Sequence, residues 1–381
     1  MFASSSIIAF SVFSLLSQVS ASPALHKNTT LNSPRKIGKR CTGEITSLSD
    51  VAAAEECDTI VIGGFTVPAG ETFSLTPPDG AMVSLTGELT FGFQEWEGPL
   101  MEINGNDITF DGGGHDLNGQ GTLYWDGLGG NGGVTKPAPL LTLNMGGTFS
   151  NVQVVNSPTR AVAVNGNSLT VSGVIVNNAA GTAPNSISNG APAGANTDGF
   201  DVAANDVTIT GCSVNNQDDC LAINRGTTIT FSNNVCEGIG HGISIGSISS
   251  DATVSGVTIS GNTVTGTVNG LRIKTDATAT GSIVENVVYE NNKVSGITAF
   301  GVLIDQSYPA TLGTPGTGVV IENVSFDDTN TVSVESSANA VEVNCGSTSS
   351  CTGTWNWDGL TASGGKGSTI KNAPVTGGSG F

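Results

Sequence analysis

Gly199-Phe200-Asp201-Val202, Cys220-Leu221-Ala222-Ile223, Gly242-Ile243-Ser244-Ile245, Gly270-Leu271-Arg272-Ile273 and Gly301-Val302-Leu303-Ile304 are five versions of one four-residue phrase. Their starts lie 21, 22, 28 and 31 residues apart. A second alternating run follows each: Val207-Thr-Ile-Thr-Gly211, Thr228-Ile-Thr-Phe-Ser232, Val257-Thr-Ile-Ser-Gly261, Val287-Val-Tyr-Glu-Asn291 and Val319-Val-Ile-Glu-Asn323, then an Asn/Gly turn. Short period-two strands repeating every few tens of residues describe a single-domain, all-β solenoid, the right-handed parallel β-helix. The second and fourth positions predict inward stacks: Phe200, Leu221, Ile243, Leu271, Val302 and Val202, Ile223, Ile245, Ile273, Ile304. The polar third position should face out. A β-sandwich would supply strands and turns but not this register. Leu141-Thr-Leu-Asn144, Val152-Gln-Val-Val-Asn156 and Val162-Ala-Val-Asn165 carry the pattern towards the N-terminus.

Composition agrees. Charged residues are 12% of the 381, against a usual ~25%. The 53 glycines and many β-branched residues suit strands and tight turns rather than disorder. A formal net charge of −19 lacks the basic footprint that nucleic-acid binding needs.

The apolar run Ile7–Leu16 and the small residues Val19-Ser20-Ala21 read as a signal peptide, 1–21, and hence a secreted protein. The run is too short for a membrane anchor. Lys39-Arg40 directly before Cys41 reads as a dibasic processing site closing a pro-segment, 22–40. Cleavage there leaves 8 basic residues (13 − 5) against 32 acidic ones, a net of −24. Of seven cysteines, 41/57, 220/236 and 345/351 are close enough in sequence for local disulfides, leaving Cys212 free. With no Cys-x-x-Cys and only His115 and His241 after the pro-segment, a zinc site has little support, and no metal is expected. Asn323-Val324-Ser325 is a glycosylation sequon.

In a solenoid, equivalent positions of adjacent coils lie ~4.8 Å apart. The residues just before the five strands are Asp198, Asp219, His241, Asn269 and Phe300, with Asp218 beside Asp219 and with Arg272 and Lys274 on the fourth coil. Alone, Asp-Gly is a turn dipeptide, a lone His is structural and Arg-x-Lys is a surface pair. Together, on one patch of a charge-poor chain, they point to chemistry. Paired carboxylates suit glycoside hydrolysis, one as acid and one activating water. Crowding should raise at least one pKa so that this group stays protonated. Arg272 and Lys274 suit an anionic sugar. Alternation counted from Phe200 would turn Asp198 inward, so an exposed site requires the corner to rotate this column outward.

At these residues the chain resembles the family 28 glycoside hydrolases, in particular the fungal endopolygalacturonases. The motifs are Asn196-Thr197-Asp198-Gly199-Phe200-Asp201, Gln217-Asp218-Asp219-Cys220, Gly240-His241-Gly242 and Arg272-Ile273-Lys274, in family order, with Gly119–Gly127 resembling an N-terminal motif. The resemblance implies inverting hydrolysis of α-1,4-galacturonosyl bonds in homogalacturonan without metal or cofactor. It makes Asp218 the general acid, Asp198 and Asp219 the water-activating pair and His241 a supporting residue. Arg272, Lys274, Tyr308 and Asn196 become substrate-binding residues. It pairs Cys41–Cys57, Cys220–Cys236 and Cys345–Cys351. The implied partner is pectin, with plant polygalacturonase-inhibiting proteins as a further candidate, and the chain is expected to be a monomer.

Three departures stand out: no second C-terminal disulfide, Ser307 where Asp is common, and Arg160 where Gln or His is usual. Competing readings are an exo-acting or rhamnogalacturonan hydrolase of the same family, a calcium-dependent pectate lyase, and a non-catalytic solenoid.

Overall fold

The computed structural model describes residues 39–381. The expected signal peptide and nearly all of the expected pro-segment lie outside the described residues. Lys39 and Arg40 open the first strand, Lys39–Ile45, both exposed, with Lys39 Nζ 3.3 Å from Glu56.

The strands form the expected parallel β-helix. Each coil has three sides. The first two sides join in one twenty-stranded sheet and the third forms an eleven-stranded sheet. The register is the one the repeats imply: Phe200 pairs with Leu221, Leu221 with Ile243, Ile243 with Leu271 and Leu271 with Val302. All ten predicted inward residues are at most 2% exposed. Burying such columns against their own copies supplies most of the stability of a fold in which each coil touches only its neighbours. Aromatic steps reinforce the stack, Phe110 on Phe149 at 4.8 Å and Tyr289 on Phe326 at 4.6 Å between ring centres.

One corner carries a buried asparagine ladder. Asn262 Nδ2 donates to Phe231 O and to Asn292 Oδ1, and Asn292 Nδ2 donates to Ile259 O and Asn330 Oδ1. Asn234 continues the column. The ladder satisfies the backbone groups that each turn would otherwise bury unpaired. Cys212 occupies its next rung, its amide donating to Asn234 Oδ1. That explains a buried, unpaired thiol whose pKa burial pushes up to about 11. Cys212 should therefore resist thiol reagents in the native protein and react on unfolding; rapid native labelling would contradict this packing.

The three disulfides are Cys41–Cys57, Cys220–Cys236 and Cys345–Cys351. The C-terminal end, lacking a second disulfide, is closed by aromatic rings: Trp357 contacts Phe326, Trp355 and Phe381 at 5.0–6.0 Å. Among the described residues no helix is long and apolar enough to cross a membrane. Asn323 is half-buried, its Nδ2 donating to Asn286 and its Oδ1 accepting from the Thr354 amide, so a glycan there would displace the Asn286 bond.

Candidate active site

A column of small residues sets the orientation of the site. A Cβ at Gly242 or Gly270 would strike the carbonyl of the next coil and an inward valine of the third side, Val264 or Val294. At these two coils only glycine fits, whereas Cys220 takes the same place after Asp219, and the corner swings the preceding column out over the first sheet. Asp219 thus reaches outward-facing side chains. Its Oδ1 accepts from Ser244 Oγ at 2.8 Å and from Arg272 Nη2, and its Oδ2 accepts from Lys274 Nζ at 2.9 Å. Ser244 in turn accepts from Arg272 Nε at 3.0 Å. The outward third positions are largely buried all the same, Ser244 at 0% and Arg272 at 8% exposure. They form the floor of the site.

Asp219 and His241 are register partners, and Asp198 stands one coil before Asp219. Asp198, Asp218 and Asp219 each place an oxygen within 4.8 Å of the others. Asp218 is held at both ends: Oδ1 accepts from the Asp219 amide at 2.8 Å and Oδ2 from Asn196 Nδ2 at 3.0 Å. Asn196, in the left-handed conformation at φ 49°, also accepts from Gly130 N and Asn131 Nδ2. It therefore ties the 129–133 glycine loop to the acid. Gln217 is braced by Thr197, Asn178 and Thr182. A Cβ on Gly240 would strike the Asp218 backbone at 2.3 Å.

The electrostatics separate the acids. Burial, then the charges of Asp218, Asp201 and Asp219, push Asp198 well above the usual carboxylate range. Burial and the Asp219 charge raise Asp218. Burial opposes the charge of Asp219 too, but Arg272 and Lys274 outweigh it and hold that carboxyl below its ordinary value. Burial and then Arg272 push His241 down to about 4. Its ring is neutral above that pH, and Asn269 Nδ2 donates to Nδ1 at 3.0 Å, which leaves the proton on Nε2. The charge pattern is that of an acid–base cluster, with two protonatable carboxylates beside one held ionised.

The same three acids are the one grouping of metal-ligating side chains among the described residues. A cation there would compete with Arg272 and Lys274 for both oxygens of Asp219, so the donor set does not suit a resident metal.

Tyr308 is 36% exposed, with Lys274 Nζ 5.2 Å from its ring centre. Ser307 donates to Asp305 at 2.7 Å, locking the turn behind it. Two residues escaped assignment from sequence. Ser244 bridges Asp219 and Arg272; its outward third position marked it. Asp201 lies in a quoted motif, yet its role rests on burial: Oδ2 has no hydrogen-bond partner, and burial, against the pull of Arg160, raises the carboxyl to about 7. Beside the acids, a cleft of about 560 Å³ is lined by the glycine loop 129–133, Lys136, Arg160, Asn196 and Asp198.

Comparison with known proteins agrees with this geometry. An endopolygalacturonase I from Stereum purpureum, solved with two galacturonates, is 46% identical; the match covers 90% of this chain and all of that one, with a TM-score of 0.84. A probable endopolygalacturonase B of Aspergillus flavus is 41% identical over 352 residues, 90% of this chain and 93% of its own. An endo-polygalacturonase of Sclerotinia sclerotiorum is 44% identical, covering 84% and 83% respectively. The family model described as Glycosyl hydrolases family 28 matches residues 57–379, and the chain therefore belongs to that family of glycoside hydrolases.

Proposed function

We propose that the protein is a secreted endopolygalacturonase that hydrolyses α-1,4-galacturonosyl bonds of homogalacturonan with inversion. One observation carries the reading: a carboxylate held ionised by two cations, Asp219, lies within 4.8 Å of two carboxyls whose pKa values burial raises, Asp198 and Asp218.

The protons belong to the cluster as a unit. In the productive form Asp218 carries one and gives it to the glycosidic oxygen as the bond to the anomeric carbon breaks. Water attacks that carbon. Asp219 orients the water, and Asp198, the more basic of the pair, takes its proton. The neutral His241 offers Nε2–H beside the acid. Arg272 and Lys274 hold Asp219 ionised and face the uronate carboxylate, with Tyr308 against the sugar.

Carboxyls this close fall short of the ~6.5–9.5 Å usual for inverting pairs and nearer to retaining spacing. A retaining enzyme needs a free nucleophile, however. Both oxygens of Asp219 are engaged in charge-assisted bonds, which make it a poor nucleophile and a good holder of water.

The test is the product distribution from polygalacturonate with the anomer formed first, followed by NMR. Mixed oligomers of inverted configuration are expected from the outset. Monomer alone at early times would replace the endo reading with an exo one, and retained configuration would overturn the water-activating pair. Unsaturated products abolished by a chelator would mean a lyase.

A further inference from the structure

Val162 pairs with Phe200 and Ala163 with Asp201, so Arg160 falls level with Asp198, one coil away. The Ala161 amide donates to the Asp198 carbonyl at 2.8 Å, which fixes the same register. Arg160 thus belongs to the column that continues through Asp198, Asp219 and His241, and it stands next to the reacting carboxylates on the side away from Arg272. By coil count the two arginines are four steps apart, roughly 19 Å along the solenoid at ~4.8 Å per coil.

Its chemical state differs from that of the other cations nearby. Arg272 and Lys274 are bound to Asp219. Lys136 lines the same cleft, but it is 6% exposed and its Nζ is taken by Asp126 at 2.8 Å and by the carbonyls of Gly132 and Val134. Arg160 is exposed, and no ion pair joins it to an acid among the described residues. Its charge is nevertheless felt by Asp201 on the neighbouring strand. The other acids lining the cleft are Glu97 and Asp198, the latter with its pKa raised by burial, and neither forms an ion pair with Arg160. A cation available for pairing therefore sits in the cleft within one coil of the scissile position.

We infer that Arg160 is a second uronate-carboxylate site, gripping a sugar on the opposite side of the scissile bond from Arg272 and Lys274. The guanidinium fork matches a free carboxylate; a methyl ester removes the charge and one acceptor. The site therefore selects de-esterified galacturonate on both sides of the cut. This rests on the galacturonan reading above and specifies its substrate further.

Arg160→Gln should raise KM for polygalacturonate about three- to tenfold with kcat little changed, because the contact is made equally before and during reaction. It should also narrow the preference for polygalacturonate over methyl-esterified pectin. Lys293→Gln, an equal charge change on the third side of the helix, should do neither. An unchanged KM and preference in Arg160→Gln, or the same change in Lys293→Gln, overturns the inference. Should the Gln variant melt early, Arg160→Lys carries the test: it keeps charge and loses the fork, so intermediate values are expected and wild-type values overturn the site. Calorimetry of trigalacturonate on an Asp218→Asn background, with and without Arg160→Gln, reads the site without turnover. Weaker binding beside an inactive parent enzyme would sink the hydrolase reading and keep the carboxylate site; equal binding beside an active one would do the reverse.

Discussion

Asp218→Asn should lower kcat for polygalacturonate by about 10²–10⁴-fold, the range for removing a general acid, with KM nearly unchanged. The carboxamide has no proton to give to the leaving oxygen, yet it fills the same space. Its local cost can be followed bond by bond. The new Oδ1 can still accept from the Asp219 amide, 2.8 Å away in the parent. The new Nδ2 then faces Asn196 Nδ2, donor against donor. Turning the Asn196 amide over would relieve that clash and forfeit its bonds from Gly130 and Asn131. The flip would thus lose two bonds to keep one, so Asn196 stays as it is and one hydrogen bond is lost, about 1 kcal/mol. Against this, a buried carboxyl repelled by Asp219 has gone. Melting temperature should therefore stay within a few degrees while activity collapses, as followed by reducing-end release and thermal unfolding. Wild-type turnover in this variant would remove Asp218 from its role.

The solenoid was legible because its evidence is local and repeated: ten apolar positions at fixed offsets define two columns, and the coil spacing turns them into neighbours. The same arithmetic brought Asp198, Asp219 and His241 together. It could not orient them. Period-two alternation gives the direction of a Cβ within a strand, whereas these residues sit on a corner whose rotation depends on Gly242 and Gly270 fitting against carbonyls one coil away. Nor could it show that Arg272 and Lys274 are committed to Asp219, since that depends on side chains crossing two coils. The asparagine ladder was hidden for a related reason. Asn234, Asn262 and Asn292 read as ordinary turn residues until their amides are seen to bond from coil to coil.

Melting temperature should be highest near pH 4–5 and fall towards pH 7–8, and Asp201→Asn should flatten that slope. Asp198, Asp201 and Asp218 all have folded-state pKa values raised above the ordinary 3.8, by burial first. A raised carboxyl binds its proton more tightly in the native state than in the unfolded one. Its stability contribution is complete below the unfolded pKa and is lost as pH rises through the folded value. Asp219, held low, works in the opposite sense, contributing above its unfolded pKa and losing that contribution only in stronger acid. Between pH 4 and 7 the group that opposes them is His241, whose folded value of about 4 lies below the ordinary 6.5, so that its contribution to stability grows as pH rises to its unfolded value; three raised carboxyls against this one imidazole set the sign. For Asp201, a rise from 3.8 to about 7 corresponds to an effect on the order of a few kcal/mol. Its Oδ2 has no hydrogen-bond partner, so the amide forfeits no bond and removes the cost of burying charge. Parent and variant should melt together at pH 4, with the variant ahead at pH 7.5. General repulsion within a chain of net −19 also favours acid conditions, but it changes little on losing one charge of 32. The widening gap between parent and variant thus isolates the buried group. Equal melting temperatures at both pH values would mean that Asp201 ionises freely and that the protons of the cluster reside elsewhere.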